Sequence, residues 1–407
     1  MQDSNIGGML HAIRKTLPLP LAVACDGDVR KAMQDYLKHY QALAEQHQID
    51  PEMQKAIGQQ CDKLTQVFDS FIRGYLSTAI HQMKNLLKIK VKGGSVVDYF
   101  TVSLDPQKEE TGSYAAIQNQ MNSLFRARLG DHYNYSPLEM FHIPYPMRHK
   151  VKSQRFSIAG LPCLYLGSSS LLCWEEMSRP RTTELHISRY QLVDAVCLFN
   201  LAYDVVQVLE IWANPNLPEE AKRDWATRFL LVYPLLAACS IVVKEKEDRS
   251  FRSEYIIPQV LMLAIREEKS GSIDGIRYLS MKRDPLCSPN IWVNYAFIPK
   301  GGDFRKDYSA NLMKLFFATT PYNLQNIMDM DRLAMGEIEH IYLNIPKGND
   351  HREPLAQSSG GSVSDFYDIV PVMGRARYRD TSFGAVDRFL SSISAWSIEE
   401  LNKKYQR

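Results

Sequence analysis

The stretch CLYLGSSSLLCWEE at residues 163–176 contains the change of pattern that decides how this chain folds. Its first residues, CLYL, are apolar and aromatic, which is typical of a β-strand. Three serines follow, and serine can cap a helix because its hydroxyl accepts a hydrogen bond from a backbone N–H. The stretch therefore predicts a strand, a turn and then a helix that carries Glu176 inward.

Similar β-like runs lie on both sides of this stretch. The candidate strands are CLYLGS, ELHISRY, AVCLFNL, SIVVKE, GIRYLSM, WVNYAFI and HIYLNIP. Helical patterns lie between them, notably at 218–236 and 254–266, and the apolar stretch 229–243 predicts a buried helix that runs into a strand. Many short strands with few helices between them indicate an α+β fold rather than a doubly wound α/β sheet.

The first 90 residues have a helical rather than a β-like pattern. An Asp-Pro pair at 50–51 is a typical helix start, and apolar residues recur at three- and four-residue steps from there toward Leu87, with Gly74 as a weak point. A second amphipathic helix follows Asp28. We therefore expect an α-helical N-terminal region at 1–90.

The last third of the chain has its own pattern. The Gly- and Ser-rich segment 347–364 predicts a flexible connection or a mobile flap. Two short helices should follow it, one over 385–395 and one that begins at the capping box of Ser397 and Glu400. These patterns predict three parts, at 1–90, 91–345 and 346–407.

Composition excludes several classes of protein. Of 407 residues, 45% are hydrophobic and 23% are charged, with a net charge of +2, so no basic track predicts a nucleic-acid partner. We find no secretory signal at the start, and the most apolar stretch is too short for a bilayer, so no membrane partner is expected. Seven scattered cysteines indicate free thiols in a reduced cytoplasm, and without HExxH or CxxC spacing no metal is expected.

Four segments bring residue types that suit chemistry on a charged substrate. In LFRAR, alternation puts Arg126 and Arg128 on one face of a strand, so either could be the functional arginine. In QRFSIAGLP, Arg155 precedes a Gly-Pro turn and should sit at a strand end facing a pocket. In the opening stretch, apolar neighbours should press one glutamate of the Glu175–Glu176 pair against apolar surface, where a carboxylate is functional or expensive.

The fourth segment is DGIRYLS, which ends a strand at Ser280 and places Tyr278 on the same strand face. The segment EYIIPQVLMLAI precedes it and should shape the same pocket. Taken singly, each of these residues is explained as well by structure: a strand-end arginine paired with an acid, a solvent-facing acidic pair at a helix start, or a serine tolerated in a strand.

Taken together, FRAR, QRFSIAGLPCLYLGSSSLLCWEE, EYIIPQVLMLAI and DGIRYLS resemble the RES family, over roughly residues 125–297. Its known members are mostly bacterial toxins that destroy NAD on a scaffold related to ADP-ribosyltransferases. The family places a tyrosine and a glutamate eleven residues apart, as Tyr165 and Glu176 are, which selects Glu176 over Glu175. Two features depart from the family pattern: the gap from Arg126 to Arg155 is longer, and large flanking regions are present.

The resemblance implies an ADP-ribosyltransferase-like mixed β core and a role for each candidate. Glu176 would stabilise the oxocarbenium-like ribose that forms when the nicotinamide–ribose bond breaks. Arg155 and Arg126, or Arg128 in its place, would bind the pyrophosphate of NAD through forked hydrogen bonds. Tyr165 would pack on the nicotinamide, Ser280 would hydrogen-bond it, and Tyr278 would line the same face. The resemblance thus implies a catalytic set of Glu176, Arg155, Tyr165 and Ser280, and a binding set of Arg126, Arg128, Arg155, Tyr165 and Tyr278.

Several alternatives stay open at this point. The acceptor could be water, as in an NAD glycohydrolase, or phosphate, as in a phosphorylase. The protein could belong to a toxin–antitoxin system or to an antiphage defence system, with an antitoxin or a regulatory protein as its partner. The same scaffold could instead transfer ADP-ribose to a macromolecule, or be a non-catalytic interaction module with a degenerate pocket. The flanking regions could cover the pocket until a trigger arrives, and a homo-oligomer is a further option.

Overall fold

The computed structural model describes residues 2–108, 112–130, 135–244, 249–267, 273–283, 289–300, 307–335, 369–371, 375–378 and 381–405. The helices are α1 (Gln2–Thr16), α2 (Val29–Gln46), α3 (Pro51–Ile72), α4 (Leu76–Leu87), α5 (Val96–Phe100), α6 (Gly112–Met121), α7 (Ser170–Glu176), α8 (Val205–Ala213), α9 (Glu219–Cys239), α10 (Ile256–Arg266), α11 (Ala310–Leu315), α12 (Leu324–Met335), α13 (Ser382–Ser392) and α14 (Ile398–Tyr405). The strands are β1 (Leu21–Val23), β2 (Lys90–Val91), β3 (Gly94–Ser95), β4 (Thr101–Leu104), β5 (Leu124–Leu129), β6 (Leu164–Gly167), β7 (Leu185–Leu192), β8 (Val196–Leu201), β9 (Ile241–Val243), β10 (Gly275–Leu279), β11 (Val293–Phe297), β12 (Phe316–Ala318), β13 (Tyr322–Asn323), β14 (Ile369–Pro371), β15 (Arg375–Arg377) and β16 (Trp396–Ser397).

The centre of the described structure is a mixed sheet of ten strands. Its order is β16-β12-β7-β5-β6-β11-β10-β8-β4, and β13 pairs with β7 beside this path. Most neighbours are antiparallel, but β8 and β10 run parallel. The sheet together with the N-terminal helices confirms the predicted α+β class.

Most of the predicted elements that fall on described residues are present, but the helix expected over 385–395 runs from Ser382 to Ser392, and Arg155 lies in a turn rather than at a strand end. Six of the seven candidate strands are present, as β6 to β11, and the seventh, HIYLNIP, lies outside the described residues, as does the segment 347–364. The helix and strand predicted over the apolar stretch are α9 and β9. The capping box is formed, since Ser397 Oγ donates to Glu400 Oε2 at 2.8 Å and accepts from Glu400 N at 3.3 Å.

The N-terminal helices begin and end where their sequence dictates. Asp28 accepts a hydrogen bond from Lys31 N at 3.0 Å and so starts α2, while Asp50 accepts from the backbone N–H groups of residues 52 and 53 at 3.0 and 3.2 Å and starts α3. Gly74, at φ +84°, separates α3 from α4, because the left-handed conformation that closes a helix costs glycine least. The predicted weak point is therefore a helix end.

Residues 1–90 share one hydrophobic core with the rest of the chain. Buried side chains of α1 to α4, such as Leu10, Met33 and Leu64, lie in the same cluster as those of α9 and α10, such as Leu231 and Leu261. The division of the chain at residues 90 and 345 stays a prediction. Helices that share a continuous core unfold together in most small proteins.

A proline inside α9 shows how closely the two parts fit. Pro234 has no backbone N–H, so the Leu230 carbonyl loses its usual helical donor. The Tyr40 hydroxyl of α2, a fully buried residue, donates to that carbonyl at 2.7 Å. At the adjacent residue, Gln60 Nε2 of α3 donates to the Leu231 carbonyl at 3.1 Å.

The segment between α1 and α2 also joins the main body. Strand β1 pairs in parallel with β9, which directly follows α9. Just before β1, the Leu17 carbonyl accepts two phenolic hydrogen bonds, from Tyr36 and Tyr233, both at 2.7 Å. Among the described residues, no helix combines the length and apolar character that crossing a bilayer requires.

The Tyr40 hydrogen bond generates a stability prediction. Replacing Tyr40 with Phe should lower the free energy of unfolding by about 1–3 kcal/mol, because a buried carbonyl is left without a donor. All five tryptophans lie beyond residue 90, so their fluorescence reports on the rest of the chain during denaturant unfolding. We expect one fluorescence transition with its midpoint shifted to lower denaturant.

The matched control is Tyr75→Phe, because Tyr75 is 61% exposed and its hydroxyl faces solvent. It should unfold at the same denaturant concentration as the wild type. An unchanged fluorescence transition in Tyr40→Phe would show that the N-terminal helices unfold separately from the sheet.

Candidate active site around Glu176

The predicted strand, turn and helix of the opening stretch are present and sit at the centre of the site. Ser169 caps α7, its Oγ accepting from Leu172 N at 3.0 Å, and the same hydroxyl donates to the Ile291 carbonyl at 2.7 Å. A Cβ built on Gly167 would lie 3.1 Å from Cys173 Sγ, so the absent side chain lets α7 pack tightly on β6. Backbone packing therefore fixes the direction of this short helix.

Glu176, at the end of α7, is held by two strands of the sheet. Its Oε1 accepts from Ser280 Oγ at 2.7 Å and from Asn294 Nδ2 at 2.6 Å. Ser280 directly follows β10 and Asn294 belongs to β11, and both residues are buried. The orientation of the carboxylate is thus set by the sheet rather than by the flexibility of its own side chain.

The two glutamates of α7 have opposite surroundings. Glu175 is 6% exposed and forms an ion pair with Arg179 at 2.8 Å, whereas Glu176 is exposed. The expectation that Glu176 is the glutamate pressed against apolar surface is therefore wrong. Successive residues on a helix point about 100° apart, so only one of the pair can face the core, and the backbone gives that place to Glu175.

Lys282 closes the C-terminal end of α7. Its Nζ donates to the carbonyls of Glu175 and Glu176 at 2.7 and 3.0 Å. A cation at this end of a helix stabilises the unpaired carbonyl groups there. Lys282 and Ser280 stand two residues apart, so one short segment holds both the backbone and the carboxylate of Glu176.

Tyr278 connects the predicted residues of the site. It is the register partner of Asn294. Burial raises the pKa of Tyr278, and the nearby Glu176 charge raises it further while the Arg155 charge lowers it. The carboxylate and the guanidinium therefore both lie within electrostatic range of one phenol.

Tyr165 faces the same side of the sheet. Its hydroxyl donates to Ser157 Oγ at 2.9 Å. Burial raises the pKa of Tyr165, and its neighbour Tyr278 adds to the rise. The structure thus brings Tyr165, Tyr278, Glu176, Ser280 and Arg155 into one neighbourhood.

Arg155 is positioned by the backbone that follows α9. Its Nη1 donates to the carbonyls of Cys239 and Ile241 at 2.9 and 3.1 Å, and its Cζ lies 5.1 Å from the centre of the Tyr255 ring. The residue lies in a tight turn closed by the pairing of Gln154 with Ser157. All three contacts are with neutral groups, so none of them compensates the positive charge of Arg155.

Of the other two candidate arginines, Arg126 reaches this group only through the Tyr165 backbone, and Arg128 lies away from it. Strand β5 pairs with β6 only at Phe125, and beyond that point Arg126 Nη1 donates to the Tyr165 carbonyl at 2.8 Å. Burial lowers the pKa of Arg126, whose charge also acts on Tyr190, on the opposite face from the Tyr165 ring. Arg128 is exposed, donates to the Glu139 carbonyl at 2.5 Å and lies over the Tyr135 ring.

Two cavities flank the group. A small one of about 70 Å³ lies behind Ser280 and also touches Leu17, Asp204 and Arg283. A wider cleft of about 480 Å³ lies at the other end of α7, lined by Ser168, Asp387 and other polar residues. Ser280 is the residue that lines the small cavity and also binds Glu176.

Sequence reasoning missed Asn294, Lys282, Asp204 and Asp387. Asn294 lies in the predicted strand WVNYAFI. A polar amide among apolar residues of a buried strand needs a hydrogen-bond partner, and this could have identified it. Lys282 lies two residues after the end of the DGIRYLS segment. The other two have no local signal, since Asp204 precedes an unpredicted helix and Asp387 lies far from α7 in sequence.

Asp387 joins the C-terminal helix α13 to the start of α7. Its carboxylate accepts from Ser170 N at 3.1 Å and from the Tyr378 hydroxyl at 2.6 Å. Burial raises the pKa of Asp387 to about 7, although both hydrogen bonds lower it. The folded state therefore binds a proton at this carboxyl more strongly than the unfolded chain, whose aspartates have a pKa near ~3.9.

This shift generates a pH prediction. A carboxyl whose pKa is raised on folding stabilises the fold below its unfolded pKa, and that contribution is lost as the pH rises through about 7. Replacing Asp387 with Asn removes the titration. Thermal unfolding should therefore show a melting temperature that falls in the wild type, relative to the variant, as the pH rises from about 5 to about 8.

Asp62→Asn, on the exposed face of α3, is the control and should follow the wild type at every pH. Parallel profiles for wild type and Asp387→Asn would mean that this carboxyl is charged throughout the range.

The comparison with protein families covers the residues of this site. Residues 123–312 match the family model of the RES domain. A protein of Bacillus subtilis (strain 168) named "Putative toxin YopC" is 27% identical over 284 residues, which make up 67% of this chain and 60% of that protein. No solved structure is significantly similar to the chain. The candidate residues all lie inside the range, residues 123–312, that matches the RES domain.

Proposed function

We propose that this protein cleaves NAD at the bond between nicotinamide and ribose, and that it acts as a bacterial toxin or antiphage effector. The observation that carries the proposal is the fixed carboxylate of Glu176, held through Oε1 by Ser280 and Asn294. Tyr278 lies within electrostatic range of both Glu176 and Arg155, and Tyr165 lies on the same face of the sheet. The match to the RES domain and the relative named as a putative toxin support a toxin-like function.

The main role of Glu176 would be to stabilise the positive charge that develops on the ribose. When the C1′–N bond breaks, nicotinamide leaves with the electron pair and the ribose takes on oxocarbenium character. A carboxylate whose orientation is already fixed stabilises that charge without having to reorganise. With Oε1 held by the sheet, Oε2 would hydrogen-bond a ribose hydroxyl, and the exposure of the side chain lets a substrate reach it.

The diphosphate of NAD would bind Arg155. Its guanidinium is anchored by two carbonyls and a tyrosine ring, so little side-chain freedom is lost on binding. Arg126 would act as a positioning residue, since its bond to the Tyr165 carbonyl keeps β6 in place where β5 leaves it. Arg128 has no part in this assignment.

The nicotinamide would lie between Tyr165 and Ser280. Tyr165 and Tyr278 offer aromatic faces for a planar ring, and Ser280 offers a hydroxyl. The acceptor oxygen, from water or phosphate, would form a bond to C1′. It would approach either from the face opposite the nicotinamide or from the face that the nicotinamide has left, and it would lose its proton to solvent or to Glu176. NAD is a substrate here, so no other cofactor is needed, and the site calls for no metal.

The proposal predicts the behaviour of two neighbouring variants. Glu176→Gln should lower kcat for nicotinamide release from NAD at least ~10³-fold, because the charge that stabilises the transition state is gone. Nicotinamide release is followed by chromatography, and circular dichroism checks the fold.

Glu175→Gln is the matched control, one residue away on the same helix but paired with Arg179. It should keep kcat within about tenfold of the wild type, with a lower melting temperature. Equal loss of activity in both variants would indicate a role of α7 in folding only, and a wild type without turnover would refute the proposal.

One observation favours a second candidate reaction. Because Glu176 is exposed, a macromolecular acceptor could approach the same carboxylate and receive ADP-ribose. Mass spectrometry of the reaction separates the cases: free ADP-ribose or its 1-phosphate supports cleavage with water or phosphate, whereas a modified macromolecule without either product supports transfer.

A further inference from the structure

The small cavity behind Ser280 combines residues inside the RES domain match with an outer wall that lies outside it. It lies where the parallel strands β8 and β10 end, with Tyr203 and Asp204 after one strand and residues 280–283 after the other. Carboxyl ends of adjacent parallel strands are common places for ligands. Its outer wall consists of Leu17, Leu19 and Pro20, far outside residues 123–312.

This wall is fixed to the body of the protein. Both Tyr36 and Tyr233 donate to the Leu17 carbonyl, and Leu21 N donates to the Ser240 carbonyl at 3.1 Å. The cavity is therefore preformed.

The lining of the cavity is apolar except on one side. Leucine, valine, proline, methionine and aromatic side chains form most of it. On the remaining side Asp204 and Arg283 form an ion pair, with side-chain exposures of only 11% and 12%. Asp204 also caps α8 through bonds from Val206 N and Gln207 N at 2.9 and 3.2 Å, so its carboxylate cannot turn away.

An acid beside a guanidinium presents the complement of a primary amide. The carboxylate accepts from an amide NH₂, and the guanidinium donates to an amide C=O. The size of the cavity agrees, since about 70 Å³ is roughly half of the ~150 Å³ cavity known to admit benzene. A whole pyridine ring is too large for it, but a carboxamide group fits.

We infer that this cavity is the pocket for the carboxamide of the substrate, with Asp204 and Arg283 as its specificity-determining residues. The inference rests on the proposed cleavage of NAD. In this arrangement Ser280 stands between the reacting carbon and the pocket, touching Glu176 on one side and the carboxamide on the other.

The consequence is discrimination between an amide and an acid. Nicotinic acid adenine dinucleotide differs from NAD only in having a carboxylate in place of the carboxamide. One of its oxygens would face the Asp204 carboxylate, which can only accept hydrogen bonds and carries the same charge. The wild type should therefore cleave NAD with a kcat/KM at least ~100-fold higher than that for the deamidated dinucleotide.

The test is to replace Asp204 with Asn and measure kcat/KM for both dinucleotides. Asparagine also caps helices well, so α8 should persist, and its amide can donate to a carboxylate that Arg283 attracts. The ratio of kcat/KM for NAD to that for the deamidated dinucleotide should fall at least ~100-fold, toward unity or below it. The kcat/KM for the deamidated dinucleotide should rise, and that for NAD should fall.

Asp50→Asn is the matched control, because Asp50 caps α3 through the same pair of backbone contacts but lines neither cavity. It should keep the wild-type ratio. Should Asp204→Asn fail to fold, the wild-type ratio decides alone, together with product inhibition, where nicotinamide should inhibit at least ~10-fold more strongly than nicotinate.

The outcomes separate this inference from the function it rests on. The pocket assignment would be overturned if the wild type cleaved NAD and nicotinic acid adenine dinucleotide with equal kcat/KM. It would also be overturned if Asp204→Asn left the ratio of the two kcat/KM values unchanged. Either result would leave the cleavage proposal standing. A wild type that turns over neither dinucleotide would overturn both.

Discussion

The candidate site depends on the two hydrogen bonds that converge on Glu176 Oε1. One comes from the end of β10 and one from β11, so the carboxylate is fixed to two adjacent strands although its side chain is exposed. A surface carboxylate usually moves freely and has no fixed orientation toward a substrate. Two short bonds to buried donors remove that freedom, and the energy for this comes from the sheet, which must hold Ser280 and Asn294 in register whatever happens at the surface.

Helix α7 has to bring Glu176 to those donors, and its own short length makes that difficult. Seven residues give few internal hydrogen bonds, so such a helix is stable only through its surroundings. Gly167 lets it approach β6, Ser169 caps it, and Lys282 binds its last carbonyls. The C-terminal helix α13 contributes Asp387, which accepts a hydrogen bond from Ser170 N in the first turn of α7. A region beyond the range that matches the RES domain therefore stabilises the candidate site.

Much of this could be predicted from local sequence, and the exceptions share one cause. The strand, turn and helix around Tyr165, the break at Gly74 and the helix that runs into β9 all follow from short-range patterns, and each is confirmed. The choice between Glu175 and Glu176 as the buried acid could not be made this way, because neighbouring helical residues differ only in which side the tertiary structure covers. Asn294 and Asp204 matter through contacts with residues more than 70 positions away, and no window of sequence contains both partners.

The same reasoning bears on the N-terminal region, which the sequence presented as a removable cover. Residues 17–20 do cover a cavity beside Ser280, but two tyrosines bind the Leu17 carbonyl and β1 extends along β9. Strand β9 and the turn before it also hold Arg155, through the carbonyls of Ile241 and Cys239. Removing the cover would therefore disturb the segment that positions the candidate diphosphate-binding arginine. A region that completes a pocket and also supports its arginine is part of the site, and regulation of this protein would have to act without detaching it.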